Sequence, residues 1–211
     1  MKKSNIILTS FLVFIFGSTL YYVIDSKKNE HKIDPQFHSQ TDRYPLPDFS
    51  TVVVREAPYI VTIHQDDENY LTVYRYFGAN ATDTTSAMLP DGAVYHISGD
   101  TLFVDALHTT DVYCQRIVEV IAESSTVNIY QVPVEKLQVK ADDATMQIKH
   151  QSEIDSLYLT AVHSVITFEK DCRISSFVTT LSDTTSVLSN AIMQNLSVKK
   201  DESSRIVVEG Q

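Results

Sequence analysis

Acidic residues recur at one spacing through the C-terminal half of the chain. Five and six positions beyond residues 118, 137, 157, 177 and 196 stand Glu123-Ser124, Asp142-Asp143, Val162-His163, Ser182-Asp183 and Asp201-Glu202. If those positions stack, carboxylates about 5 Å apart repel by roughly 1 kcal/mol even at the dielectric of water. Such a ladder must stay solvated or gain a cation. Calcium accepts carboxylate and carbonyl oxygens in flexible numbers, and Asp142, Asp143 and Asp183 would be its ligands. Against that, His163 interrupts the ladder and no calcium-binding nonapeptide repeat is present. The expectation is a solvated corner, with no metal, no cofactor and no catalytic residue.

The elements that would align these corners are legible in the apolar pattern. Leu137, Val139 and Ala141 are followed by Met146, Ile148 and Ile154, and 20 positions on by Leu157, Leu159, Ala161, Ile166, Phe168 and Ile174. Moving back 19 positions gives Val118, Val120, Ala122, Val127 and Ile129, and further copies start at Phe177 and Leu196. Within each unit apolar and polar residues alternate, as in strands buried on one face. A unit this short cannot bury a face alone, so stacked rungs sharing one core are expected. An antiparallel meander would have no reason to keep Ala122, Ala141 and Ala161 in one phase. The segment from Phe49 to Cys114 has short strand-like runs without that phase, and reads as a cap with irregular strands.

The first residues differ in kind. Lys2 and Lys3 precede an uncharged run from Ile6 to Ile24, long enough at about 1.5 Å per residue to come close to spanning a bilayer core of roughly 30 Å. An uncleaved membrane anchor is expected. A signal peptide is the rival, with Gly17, Ser18 and Thr19 as a poor cleavage site. Residues 25–47 are polar and read as a tether. The organisation is therefore an anchor or signal segment at 1–24, a tether at 25–47 and a β domain at 48–211, with cap and irregular strands over 48–115 and regular rungs over 116–211.

Phe49-Ser50-x-Val52-x-Val54, Val61-x-Ile63-x-Gln65, Gly99-Asp100-Thr101-Leu102-Phe103-Val104 and units such as Leu137-x-Val139-x-Ala141-Asp-Asp-Ala-Thr together carry a likeness. Over roughly residues 47–210 the chain resembles the bacterial autotransporter adhesin head domain, the GIN domain family. The resemblance implies a right-handed parallel β-helix exported to the cell envelope, without a catalytic signature. The chain departs from the family's Ser-Gly-Ala-Ser-like corners, carrying Asp, Ser or His there instead of Gly.

Composition fits an exported, non-catalytic part. There are 17 basic and 27 acidic residues; without the 5 basic and 2 acidic residues up to position 32, the remainder stands at 12 against 25, or −13. Such a surface repels nucleic acid and anionic lipid. No phosphate loop, nucleophile elbow, zinc-protease or Cys-x-x-Cys motif occurs. His64, His96, His108, His150 and His163 fall at turns or strand ends and read as solvated. Asn80-Ala-Thr and Asn195-Leu-Ser fit a glycosylation acceptor by accident. Asp83-Thr-Thr, Asp100-Thr-Leu, Asp155-Ser-Leu and Asp183-Thr-Thr resemble the O-glycosylation acceptor of some envelope bacteria, but so short a pattern reads better as a Thr- and Asp-rich turn.

Cys114 and Cys172 are the two cysteines. They stand at equivalent phases three units apart, roughly 14 Å at the strand spacing, beyond the ~7 Å limit for a bridge. Two free, buried thiols are expected.

These readings lead to a membrane-anchored envelope binding or scaffolding module. It would be attached through residues 6–24, either with a periplasmic domain or exported to the surface if the segment is cleaved, with an envelope protein or glycan as partner. The alternative is a carbohydrate-acting β-helix enzyme, which needs Asp or Glu converging with Lys or Arg on neighbouring rungs.

Overall fold

Alternating apolar side chains lock each strand to its neighbours one coil away, because a slip of one residue would turn the whole buried set to solvent. In the computed structural model, residues 38–77, 95–105 and 108–209 are described, with the side chains of 38–40 and 75–77 left aside. The described residues contain 17 strands and no helix. They are β1 (His38–Pro45), β2 (Thr51–Arg55), β3 (Val61–Gln65), β4 (Tyr70–Phe77), β5 (Tyr95–Ser98), β6 (Thr101–Val104), β7 (Thr109–Cys114), β8 (Glu119–Glu123), β9 (Thr126–Tyr130), β10 (Val134–Asp142), β11 (Thr145–Lys149), β12 (Glu153–Val162), β13 (Val165–Phe168), β14 (Arg173–Ser182), β15 (Ser186–Ser189), β16 (Ile192–Lys200) and β17 (Arg205–Val208). Nearly all belong to one compact unit, Ser39–Tyr76 with Asp83–Gln211.

Two sheets wrap one apolar core. One runs β16-β14-β12-β10-β8-β2-β6-β5 and the other β17-β15-β13-β11-β9-β3-β7-β4-β1. The strand pairs β8–β9, β10–β11, β12–β13, β14–β15 and β16–β17 are successive rungs, each parallel to the next. The register is the one the spacing predicts. Leu137 pairs with Leu157, Leu157 with Phe177 and Phe177 with Leu196, while Ala141 lies between Ala122 and Ala161. From Leu137 to Phe177 these columns are buried, as are Val127, Met146, Ile166 and Val187 in the facing sheet.

The N-terminal part differs from an irregular cap. Strands β2 and β3 form a regular rung, and it is interposed: β2 pairs in parallel with both β6 and β8, and β3 with both β7 and β9. The chain lays down this rung first, then places one rung on each side of it. The 20-residue phase is lost here because the excursion through β4, β5 and β6 separates Gln65 from β8. Antiparallel pairs, β4 with β7 and β5 with β6, mark the departure from the coil. Strand β1 lies within the stretch expected as a tether. Tyr44 and Leu46 pack against the core there, two apolar side chains hidden among polar neighbours. Among the described residues no helix is long and apolar enough to cross a membrane. The segment 6–24, expected as an anchor, lies outside the described residues.

Candidate functional site: an acidic corner and an aromatic ladder

Each rung must turn from the first sheet to the second within a few residues, and the turn uses the left-handed backbone region. Glu56, Ser124, Asp143, His163 and Asp183 have φ of 47°, 46°, 49°, 49° and 53°. Asp and His visit this region more readily than most side chains, which explains the absence of glycine at Asp143, His163 and Asp183. The turn frees the corner amide to bond to the next coil. Glu56 N–H donates to the Glu123 carbonyl at 2.9 Å, Ser124 N–H to Asp142 at 2.9 Å and Asp143 N–H to Val162 at 3.1 Å. One position further on in the first four of these rungs, and two further on in the rung of Asp183, small side chains turn inward: Ala57, Ser125, Ala144, Ser164 and Thr185 are all buried, as is Ser204 two positions beyond Glu202. Ser164 Oγ accepts from the Ala144 amide at 3.1 Å.

The expected acidic positions therefore do share one corner, and the structure divides them. Glu123, Asp142 and Asp143 line a concavity of about 560 Å³ together with Arg55, Glu56, Pro58, Asp105 and Ser124. Arg55 Nε lies 2.8 Å from Glu123 Oε2, and Ser124 Oγ lies 3.4 Å from Asp143 Oδ2. Asp183 and Asp201 are in contact at the far end, where the Asp183 amide donates to Asp201 Oδ2 at 2.7 Å. Hydrogen bonds from Ser204, then from the Asp183 amide and Ser203, hold the Asp201 carboxyl down to about 2. Among the described residues no three His, Cys, Asp or Glu converge as a metal site. Arg55, Glu56 and Asp105 escape the sequence reading because they arrive with the interposed rung and its neighbour. The signal is present, though. Val52-x-Val54-Arg-Glu-Ala repeats the pattern of Val120-x-Ala122-Glu-Ser-Ser.

On the outer face of the second sheet the same interposition builds a stack of rings. Tyr70 stacks on Tyr113 with centroids 4.2 Å apart, Tyr113 on His64 at 4.7 Å, His64 meets Tyr130 at 5.4 Å and Tyr130 meets His150 at 4.7 Å. The guanidinium of Arg43 covers Tyr70, 3.6 Å above its centroid. Carboxylates fix the phenols: Tyr70 Oη donates to Asp66 at 2.8 Å and Tyr74 Oη to Asp111 at 2.9 Å. Burial, then the bond to Asp66, pushes the Tyr70 phenol up to about 12. His64 is thus not the solvated histidine its sequence position suggests. Burial between rings lowers its pKa, against the opposing pull of Asp111 and then Asp66. Sugar stacking needs an open ring face, and here ring faces cover one another and offer edges.

Cys114 and Cys172 are free and buried, as expected. Because the β2–β3 rung intervenes, four rung steps separate them rather than three. Burial raises their thiols to about 12 and about 11. His96 stacks on Phe103 at 4.4 Å and His108 on Tyr59 at 6.2 Å. Asn80 and Asp83 lie outside the described residues.

No known protein family matches the chain, and no curated protein matches it. Among solved structures it is similar to a candidate lipid-binding protein from Parabacteroides distasonis, with 10% identity and a TM-score of 0.42 over 82% of this chain and 97% of that one. It is also similar to a candidate adhesin from Bacteroides fragilis, with 13% identity and a TM-score of 0.39 over 82% and 97%. A candidate adhesin from Parabacteroides merdae matches with 10% identity and a TM-score of 0.33 over 81% and 96%.

Proposed function

We propose that the protein is an adhesin-like binding or scaffolding module of the cell envelope, without catalysis of its own. Residues 6–24 would hold it in the inner membrane with the β domain in the periplasm, or carry it to the surface if cleaved. In this reading the coil is right-handed, the hand taken by about 98% of crossovers between parallel strands, and the module is GIN-like. One observation carries the reading. The in-register rungs bury an apolar interior and hold polar side chains on two outer faces at the fixed strand spacing, a rigid display surface suited to an envelope protein or glycan. The acidic balance of residues 33–211, 12 basic against 25 acidic, disfavours nucleic acid as a partner.

A carbohydrate-acting enzyme remains a second reading, because Arg55 does converge with Glu56, Asp105, Glu123, Asp142 and Asp143 on neighbouring rungs. It is the weaker one. A general acid must be kept from water to hold its proton at neutral pH, and Glu56, Asp105, Asp142 and Asp143 are all exposed.

Fractionation of cells expressing the full chain, with N-terminal sequencing, tests the anchored form. Recovery in carbonate-washed membranes with residues 1–24 intact, and protease access only from the periplasmic side, is expected. Recovery from the cytoplasm overturns both forms, and a mature N-terminus between residues 18 and 30 replaces the anchor with the exported form.

A further inference from the structure

Among the described residues, strands β16 and β17 are the edges of their sheets, each with a neighbour on one side only. Leu196 and Val198 stand in register with Phe177 and Thr179. Those two are 0% and 1% exposed, whereas Leu196 and Val198 are 46% and 37% exposed. Ile206 and Val208, in register with Val187 and Ser189, are only half-buried. Lys200 occupies the column of Leu181 but turns to the carbonyls of Asp201 and Ser204, at 3.3 and 3.1 Å. An apolar end with two free strand edges is a template for further pairing, and the residues say what kind.

From Arg205 to Glu209 the sequence reads Arg-Ile-Val-Val-Glu. The amides of Arg205 and Glu209 donate to Thr185 and Ser189, both at 2.8 Å. Since backbone groups alternate sides along a strand, the N–H and C=O of Ile206 and Val208 point to the open edge. Now place a second copy antiparallel about a two-fold axis at Val207. Ile206 faces Val208 of the copy, and both exchange the free groups as a hydrogen-bonded pair, with their side chains on the core side. On the outer face Arg205 falls opposite Glu209 of the copy, and Glu209 opposite Arg205. Opposite charges directly across strands are favourable, and a two-fold interface requires a patch that complements itself in this way. Strand β16 has the same parity. Asp201 N–H bonds to Leu181 at 3.2 Å, so Leu196 and Val198 carry the free groups and pair across an axis at Ser197.

The geometry points to a second copy of this chain as the occupant of the β16–β17 edge, paired antiparallel about Val207. The experiment is sedimentation velocity on the full chain in detergent, comparing Arg205→Glu, Glu209→Arg and the double reversal. The intact protein is a dimer, each single reversal weakens it roughly tenfold or more, and the double reversal restores it. Restoration separates lost pairing from lost folding. Val207→Cys adds a second measurement: facing residues at a non-hydrogen-bonded site lie about 4.5 Å apart, within the roughly 4.4–6.8 Å that a disulfide spans, so mild oxidation gives a covalent dimer and the Gln147→Cys control does not. A monomer at the highest soluble concentration, or a dimer indifferent to both single reversals, overturns the proposal.

Discussion

The imidazole of His64 lies face to face with the phenol ring of Tyr113, centroids 4.7 Å apart and planes 11° from parallel. The pair exists because β3 sits directly between β7 and β9, which puts Tyr113 on one side of His64 and Tyr130 on the other. Stacked pairs of this kind contribute about 0.5–1.5 kcal/mol each beyond the area they bury, so the ladder ties the interposed rung to its neighbours.

Acid should loosen that tie. Folding lowers the His64 pKa from 6.5, so between that value and the lower folded one the unfolded chain binds a proton the folded chain does not. Stability is full above about pH 6.5 and falls as pH drops through that window. Melting curves across it should show the loss, and His64→Phe should reduce it. An identical pH profile for the variant would contradict the assignment.

Thr179 stands in the column of Val120, Val139 and Leu159, and its buried hydroxyl has no hydrogen-bond partner among the described residues. A buried hydroxyl left unpaired costs about 1–3 kcal/mol. Thr179→Val keeps the shape and should raise stability by about 1 kcal/mol, a shift of roughly 2–4 °C in melting temperature for a chain of this size. A fall would show that the hydroxyl is bonded after all.

Both thiols should be silent in the native protein, because burial holds them as thiols at neutral pH and the thiolate is the reactive form. Alkylation of the native chain should add no label and alkylation of the denatured, unreduced chain two. No label after denaturation would mean a disulfide, and would contradict the rung stack.

Millimolar calcium should leave the melting temperature unchanged, since the carboxylates of the corner are exposed and Glu123 is already paired with Arg55. A rise of several degrees, abolished by Asp142→Asn with Asp143→Asn, would make the corner a cation site.

The regular rungs were legible because Leu137, Leu157 and Phe177 meet one another through strands consecutive in the coil, where sequence spacing is spatial spacing. Reading the corner succeeded for the same reason at Glu123, Asp142 and Asp143. At Val52 and Val54 sequence spacing is no longer spatial spacing. Their rung obeys the same local pattern, but its neighbours are β6 and β8, and a spacing argument cannot pass through the excursion between them. The aromatic ladder was invisible on the same ground, since His64, Tyr70, Tyr113 and Tyr130 become neighbours only through that insertion. At β16 and β17 the apolar pattern continues although nothing among the described residues covers it, which sequence periodicity cannot distinguish from burial.

The interposed rung is the central claim, and cysteine pairs on the outer face of the second sheet test it most directly. Thr62 is in register with both Asp111 and Asn128, so Thr62→Cys with Asn128→Cys should cross-link under mild oxidation. Asp111→Cys with Asn128→Cys should not, being two strand spacings apart, roughly 9.6 Å. Cross-linking of Asp111→Cys with Asn128→Cys, and none from Thr62→Cys with Asn128→Cys, would mean that the rungs stack in chain order and would contradict the account.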